Sequence, residues 1–316
     1  MHKKTKLIIL TLIALVLIAL FLFIGLGSNW DYALPRRAFK IAAMVLTGSA
    51  IAFSTVVFQT ITNNRILTPS IIGLDSLYLF IQTVVVFLFG QTTLTMMNNK
   101  VHFLVTVGLM VIFSMILFKV LFKREGQNIY FLLLVGIILG TFFNSLATFM
   151  QVLIDPNEFL IVQDKMFASF NHINTSLLFI ATVLLLLAIL YSARLLKYLD
   201  VLSLGRDQAI NLGVNYDYVV QRLLIVVAIM ISISTALVGP ITFLGLLVVN
   251  VAYEFMKTYR HTYLIVGSIL ISIIALVGGQ LIVERVFTFS TTLSVIINFV
   301  GGVYFIYLLL KENKSW

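Results

Sequence analysis

The sequence predicts an all-α, polytopic membrane protein with about ten transmembrane helices. Hydrophobic residues make up 61% of its 316 residues and charged residues only 10%, whereas a soluble domain has roughly 25% charged residues. The mean hydropathy is +1.10. Apolar runs recur along the chain at the length of about 20 residues that crosses ~30 Å of hydrocarbon. No linker separates them, so residues 1–316 are predicted to form one membrane domain.

Ten apolar runs are assigned as spans in chain order. Seven are clear, and three are less regular. The third contains Asp75 and Gln82, the seventh carries a Ser/Thr cluster, and the eighth is short and follows Gly239 and Pro240. The predicted spans are Leu7–Leu26, Ile41–Ile61, Ile71–Phe89, Val101–Phe118, Ile129–Ile154, Ser176–Tyr191, Leu223–Val238, Ile241–Tyr253, Tyr263–Val283 and Leu293–Leu310.

Lysine and arginine are distributed unevenly over the connections between these spans. With the N-terminus in the cytosol, fifteen of the 21 basic residues fall on the cytosolic side and six on the outer side. Cytosolic connections carry the excess of Lys and Arg in membrane proteins. Both termini are therefore predicted to be cytosolic (N-in, C-in). The net charge of +9 follows from this orientation and gives no reason to expect nucleic-acid binding.

Composition excludes several kinds of chemistry. The chain has no cysteine, which excludes disulfides, thiolate metal sites and cysteine nucleophiles. Its four histidines are scattered, and no Walker motif for ATP binding occurs. We expect no enzymatic activity, no metal site and no bound cofactor. Energy must then come from an ion gradient or from a separate ATPase.

A polar stretch at about residues 202–217 separates the sixth and seventh spans. Gly205 is placed to open a short helix, Asp207 lies in its first turn where a carboxylate suits the helix dipole, and Gly213 closes it. Because long apolar runs flank this stretch, it must lie in water at one membrane face. Two interpretations stay open, a docking lever for a soluble partner and an ordinary amphipathic connector.

Two polar features inside the membrane region are candidates for lining a transport pathway. Turn residues between Thr60 and Gly73 break the helix, and non-helical backbone is tolerated there only where protein or water surrounds it. The fifth span carries a polar stripe on one face. The alternatives are an interfacial turn and helix–helix packing. The candidate pathway residues are Gln59, Asn64, Pro69, Asn144 and Gln151.

Three blocks of residues, in order and at matching spacings, carry a family resemblance. The first resembles R-L-P-R…G…Q…N-P-L-A-x-P…G and comprises Arg37, Lys40, Gly48, Gln59, Asn64, Pro69 and Gly73. The second resembles L-G-x3-A-x2-L-G and comprises Leu204, Gly205, Ala209, Leu212 and Gly213. The third resembles G-x-I-x-F-x-G-L and comprises Gly239, Ile241, Phe243, Gly245 and Leu246. Together they resemble the permease subunits of iron-siderophore and cobalamin ABC importers.

The sequence departs from the pattern of that family at several positions. Arg65 replaces the proline of N-P-L-A, and Asn250 and Tyr253 stand where the family has the histidine and arginine of P-H-x-x-R. The proline of the first basic pair is Phe39, and the L-P-x-G before the last span is missing. With these departures the chain looks most like the divergent second permease subunit of catecholate-type siderophore importers, such as those for petrobactin or anguibactin.

The resemblance implies a multi-pass permease of the bacterial cytoplasmic membrane that moves a ferric siderophore inward. Its implied partners are a second permease subunit, a cytosolic ABC ATPase that uses ATP, and an extracellular substrate-binding lipoprotein. A heterodimer is favoured and a homodimer stays open. The siderophore carries the metal, so no iron ligands are expected from this chain. The alternative is a secondary transporter driven by an ion gradient, for which Asp75 and Glu254 are the few available carboxylates.

The resemblance also implies roles for particular residues. The second block, Leu204, Gly205, Ala209, Leu212 and Gly213, would couple the permease to the ATPase. Arg37, Lys40 and Arg285 fall on the outer side in the predicted topology, where family members use arginines to bind acidic residues of the binding protein. Cations that only snorkel to the membrane interface are the alternative for these three.

Overall fold

The computed structural model describes residues 3–25, 30–96, 98–121, 129–171, 173–288 and 291–312. Within these ranges every regular element is helical and no β-strand occurs. Two 3₁₀ turns, Pro69–Ile72 and Leu196–Tyr198, join some of the α-helices. The α-helices are α1 (Lys3–Phe23), α2 (Trp30–Thr62), α3 (Leu74–Met96), α4 (Asn99–Leu121), α5 (Ile129–Leu153), α6 (Pro156–Met166), α7 (Thr175–Ala193), α8 (Leu199–Leu202), α9 (Arg206–Asn211), α10 (Tyr216–Val238), α11 (Leu244–Met256), α12 (His261–Arg285) and α13 (Leu293–Glu312).

Helix length and composition confirm an all-α protein that crosses the membrane several times. Among the described residues, seven helices are long and apolar enough to span, namely α1, α2, α4, α5, α7, α10 and α12. Three shorter apolar stretches, Leu74–Gly90, Leu244–Met256 and Leu293–Leu308, coincide with the third, eighth and tenth predicted spans. The helix that contains the first stretch runs from Leu74 to Met96, whereas the second stretch is the whole of α11 and begins just after a break in the chain. Leu26, the predicted end of the first span, lies outside the described residues.

Three helices differ from the sequence prediction. The second helix begins at Trp30 and not at Ile41, and α10 begins at Tyr216 and not at Leu223, because polar residues outside the hydrocarbon still continue a helix. The third difference is α6, which was not predicted. Asp155 caps it by accepting a hydrogen bond from the backbone N–H of Asn157, and Pro156 occupies its first position. This Asp-Pro start was visible in the sequence.

Helices α2 and α10 form the centre of the bundle. In their spanning segments 78% and 72% of residues are buried, against 17% in α1 and 22% in α5. Helix α2 packs against both α10 and α12, and α10 also packs against α4 and α7. On one side α1 covers α12, and on another α5 and α6 cover α3. Peripheral helices therefore present apolar surface outwards, as a lipid-facing layer requires.

A close crossing of α5 and the first 3₁₀ turn fixes the start of α3. Gly73 has a φ of +86°, and a Cβ there would lie 2.9 Å from the Cα of Gly140. A Cβ on Gly136 would lie 2.9 Å from the Cα of Ile72. Gly136 and Gly140 are four residues apart and so form the small-residue face by which membrane helices approach backbone to backbone.

We expect Gly136→Ala to lower the melting temperature of the purified protein, since the added methyl group meets backbone that cannot move aside. Overpacking of this kind costs about 1–3 kcal/mol. The matched control is Gly108→Ala in α4, where nothing lies within 4 Å of the new Cβ and the better helix propensity of Ala should be neutral or stabilising. Equal melting temperatures for the two variants would contradict the close crossing.

Candidate functional site

The chain breaks after α2, where three of the predicted pathway residues lie together. The helix ends at Thr62, and the next residue, Asn63, takes a φ of +47°. The side-chain oxygen of Asn64 accepts a hydrogen bond from the backbone N–H of Ile66 at 2.8 Å and so holds the turn. Gln59 donates its amide N–H to the Arg65 carbonyl at 2.6 Å. Pro69 then opens the buried 3₁₀ turn.

A second helix reinforces this break. The Asn250 side-chain amide in α11 also donates to the Arg65 carbonyl, at 3.0 Å. The Arg65 guanidinium lies 4.5 Å from the centre of the Tyr253 ring in the same helix. The break after α2 is therefore tied to α11 by both the backbone and the side chain of Arg65.

A second break, between α10 and α11, meets the first at the start of α3. Gly239 has a φ of +98°, and the neighbouring Val238 carbonyl accepts a hydrogen bond from the backbone N–H of Ser169 at 2.9 Å. Thr242 donates its hydroxyl to the Asp75 carboxylate at 3.2 Å. Both breaks and Thr55 of α2 line one small cavity around this carboxylate. An acid in the membrane region is thus held by hydroxyl groups at the junction of two broken segments.

The other two predicted pathway residues, Asn144 and Gln151, lie in α5. Asn144 is exposed on the outer surface of this chain, as are Thr141, Ser145 and Thr148 of the same stripe. Gln151 is turned inwards and donates to the hydroxyl of Thr83 at 3.2 Å. The structure therefore brings Gln59, Asn64 and Pro69 together, and leaves Asn144 on a different face.

The polar stretch between α7 and α10 folds as its glycines predict. Gly205 (φ +99°) precedes α9, and Gly213 (φ +82°) follows it. The backbone N–H groups of Gly213 and Val214 donate to the carbonyls of Ile210 and Ala209 at 2.9 and 3.0 Å. This pair of bonds is a Schellman motif, in which glycine takes the left-handed position.

The five residues predicted to couple the permease to an ATPase differ in burial. Ala209 is fully buried, whereas Leu204 and Leu212 are 55% and 63% exposed. Two apolar side chains are thus left exposed outside the apolar spans. A Cβ on Gly205 would lie 3.8 Å from the side-chain nitrogen of Asn63. The segment therefore touches the break after α2.

A chain of hydrogen bonds joins the coupling segment to two core helices. Asp200 of α8 accepts from the backbone N–H of His261 at 2.9 Å, and its Oδ1 lies 2.6 Å from the imidazole Nδ1. The imidazole Nε2 lies 2.9 Å from the hydroxyl of Thr60 in the last turn of α2. His261 is buried, so this chain fixes α8 to the start of α12 and to the end of α2.

The electrostatics of Asp200 follow from this contact. Partial burial raises the pKa of this carboxyl, but hydrogen bonds from His261 and the positive charges of His261 and Arg260 outweigh burial and hold the pKa below its usual range. No spacing motif indicated this pair, because its two members are 61 residues apart in the chain.

The predicted docking arginines bind the end of α1. Arg37 and Arg285 both donate to the Ile24 carbonyl, at 2.8 and 2.5 Å. Cations are favourable at the C-terminus of a helix, where carbonyls lack partners. The further carbonyls bound by Arg37 are those of Phe21, Leu22 and Gly25.

Lys40 lies in a half-buried network at the same end of the bundle. Its ammonium is 2.9 Å from the Glu284 carboxylate, with the two side chains 18% and 12% exposed. Asn171 accepts from both Lys40 and Gln280, at 3.1 and 3.2 Å. The three predicted docking cations are thus close together, and each already has a partner within the chain.

Comparison with known proteins decides the family. Residues 7–311 match the FecCD transport family. The chain belongs to that family. It is 66% identical over 316 residues to the petrobactin import system permease protein YclO of Bacillus subtilis, with 100% of both chains covered. It is 40% identical over 279 residues to the petrobactin import system permease protein FatC of Bacillus anthracis, covering 88% of this chain and 78% of FatC.

The fold agrees with that of a solved transporter chain. A chain assigned to a metal-chelate type ABC transporter in an inward-facing conformation superposes with a TM-score of 0.81 at 22% identity, covering 98% of this chain and 100% of that one. The match to the family and the identity to the two permeases confirm the resemblance found in the sequence. As a FecCD permease, the chain is a multi-pass protein of the bacterial cytoplasmic membrane.

We expect Asp200→Ala to lower the free energy of unfolding by about 1–3 kcal/mol, because it leaves buried polar groups of His261 without a partner. Asp200→Asn keeps an acceptor and should lose less. The lowered pKa means that the carboxylate stabilises the fold above its unfolded pKa of about 3.9 and loses this effect as pH falls through the folded value. From about pH 5 downwards, the melting temperatures of wild type and Asp200→Asn should therefore converge. A difference in melting temperature between the two proteins that stayed constant down to about pH 2.5 would contradict stabilisation by the Asp200 carboxylate.

Proposed function

We propose that this chain is the permease subunit of an ABC importer for a ferric siderophore of the petrobactin class. The observation that carries the proposal is 66% identity over the full length of a petrobactin import permease. The chain itself needs no iron ligands, because the chelator supplies them. Among the described residues, no group of three or more His, Cys, Asp or Glu side chains could hold a metal ion.

The proposed topology has ten spans with both termini in the cytosol. Seven long helices and three shorter apolar ones among the described residues support ten crossings, and the fifteen-to-six distribution of basic residues supports this orientation. The coupling segment is then cytosolic, and the ends of α2 and α12 near Arg37 and Arg285 face outwards. A reporter fused after Trp316 that signalled from the outer side would contradict the even number of spans.

The pathway is proposed to form between this subunit and a second, different permease. Asn144 is an exposed amide in the middle of an apolar span, and such a group is costly in lipid but favourable towards a water-filled path or a partner helix. Bacillus anthracis has two petrobactin import permeases, FatC and FatD, to which this chain is 40% and 25% identical. Two distinct permeases for one substrate support a heterodimer. In this arrangement Gln59, Asn64, Pro69 and Gln151 would lie beside the pathway and shape its inner end.

The remaining partners follow from the transporter class. A cytosolic ATPase would supply energy through the coupling segment, and an extracellular binding protein would deliver the siderophore. The rival function, ion-driven transport, has one observation in its favour, the buried carboxylate of Asp75. A lone acid without a second buried carboxylate beside it is a weaker argument than full-length similarity.

Uptake of radiolabelled iron tests the function directly. A deletion strain complemented with this chain should accumulate iron from a petrobactin-type chelate and not from a hydroxamate chelate. Uptake should persist when the ion gradients are collapsed with ATP maintained, and should stop when the ATPase subunit is removed. Uptake that followed the ion gradient and ignored the ATPase would assign the chain to secondary transport.

For the coupling segment we expect Gly213→Val to abolish uptake while the permease stays in the membrane. A β-branched residue at a φ of +82° is strained by about 1–2 kcal/mol or more, and the open space around the Cβ means that the strain is conformational. Gly213→Asn is the matched control, because Asn tolerates this conformation. If purified complexes of the Val variant kept full substrate-stimulated ATPase activity, the lever hypothesis would be wrong.

For docking we expect the double change Arg37→Glu and Arg285→Glu to weaken association with the binding protein far more than either single change. Exposed ion pairs contribute only about 0–1 kcal/mol each, so several must act together. Because both arginines also cap α1, the control is the pair Arg37→Lys and Arg285→Lys, which keeps the charge and loses the bidentate geometry. Near-normal, salt-sensitive association of the Lys pair supports docking. Equal loss in both pairs, with equal loss of thermal stability, would leave only the capping role.

A further inference from the structure

A basic groove lies where α7 ends and α10 begins. It has a volume of about 560 Å³ and is open on one side, within the size range of small-ligand sites. Three cations and three tyrosines line it, namely Arg194, Lys197, Arg222, Tyr191, Tyr198 and Tyr218. We propose that this groove binds the phosphate headgroup of an anionic phospholipid.

The cations of the groove are held in place but not neutralised. Arg222 donates to the Tyr191 hydroxyl at 2.5 Å and lies 4.3 Å from the centre of the Tyr218 ring. Lys197 lies 4.9 Å from the centre of the Tyr198 ring. Contact with an aromatic face orients a cation and leaves its charge intact. Arg222 and Lys197 are thus held by aromatic rings, and together with Arg194 they border one volume.

No carboxylate compensates this charge. Within the described part of the chain, no Asp or Glu oxygen lies within 4.0 Å of Arg194, Lys197 or Arg222. The acids that flank the groove in sequence are engaged elsewhere, since Asp200 contacts His261 and Asp217 contacts Arg206. The site is thus complementary to an anion.

The position of the groove favours a lipid over a soluble anion. Directly before Tyr191, α7 presents an exposed apolar face that includes Leu187 and Leu190, at 57% and 68% exposure. Acyl chains can lie along this face while the headgroup enters the groove. Tyrosines are enriched at this depth of the membrane, and basic pockets between spans bind anionic headgroups. An ATPase surface is the competing occupant, because Gly213 and Val214 also line the groove.

The test measures lipid binding to the full-length protein in nanodiscs or detergent, by native mass spectrometry and by thermal shift. Phosphatidylglycerol should bind and stabilise the wild type, whereas phosphatidylcholine should not. The triple variant Arg194→Gln, Lys197→Gln and Arg222→Gln should bind phosphatidylglycerol about a hundredfold more weakly, at about fivefold per cation. The matched control, Lys4→Gln, Lys257→Gln and Arg260→Gln, removes the same charge outside the groove and should bind as the wild type does.

Three other outcomes would each contradict phospholipid binding in the groove. Equal loss in both triple variants would mean general surface electrostatics. Protection by inorganic phosphate alone, with no further gain from phosphatidylglycerol, would mean a free-anion site. Normal lipid binding by the groove variant, combined with lost ATPase association, would make the groove a protein-docking surface. None of these readouts depends on the substrate, so they remain informative if the siderophore proposal fails.

Discussion

The structure depends on how it satisfies the backbone at two helix breaks inside a membrane bundle. In hydrocarbon an unpaired carbonyl or N–H costs several kcal/mol, so a break survives only where protein supplies partners. After α2 the Arg65 carbonyl receives amide hydrogens from Gln59 and Asn250. After α10 the Val238 carbonyl is bonded by the backbone of Ser169. Because Asn250 and Ser169 come from other parts of the chain, each break depends on the packed bundle around it.

The same breaks connect the membrane region to the coupling segment. Thr60, in the last turn of α2 before the first break, contacts His261, which contacts Asp200 beside the coupling segment. A displacement of α8 would therefore reach α2 and α12 through the hydrogen bonds of Asp200, His261 and Thr60. Rigid connections of this kind suit a transporter whose two halves must move as bodies around a pathway.

Much of the architecture follows from the sequence, and particular residues explain the remainder. Hydropathy predicted the apolar spans, and Gly205 and Gly213 marked the two ends of a short helix that the structure confirms, because their positive φ values are local properties. Contacts between distant residues were not predictable. Arg285 reaches the end of α1 across 261 residues, and a charge expected on a docking surface proved also to cap a helix. Charge counting assigns a side of the membrane but cannot identify a partner carbonyl.

The departures from the family pattern acquire a physical explanation when their positions are compared. Arg65 replaces a proline, whereas Asn250 and Tyr253 replace the histidine and arginine of P-H-x-x-R. All three meet, since Asn250 bonds the Arg65 carbonyl and the Arg65 guanidinium stacks on Tyr253. In the family pattern, the arginine of P-H-x-x-R lies on the helix that corresponds to α11. Here Tyr253 occupies that position, and the positive charge is on Arg65 in the loop after α2. One positive charge is thus kept at this junction, and a cation–π contact holds it. The divergent residues therefore form a compensated set within this chain.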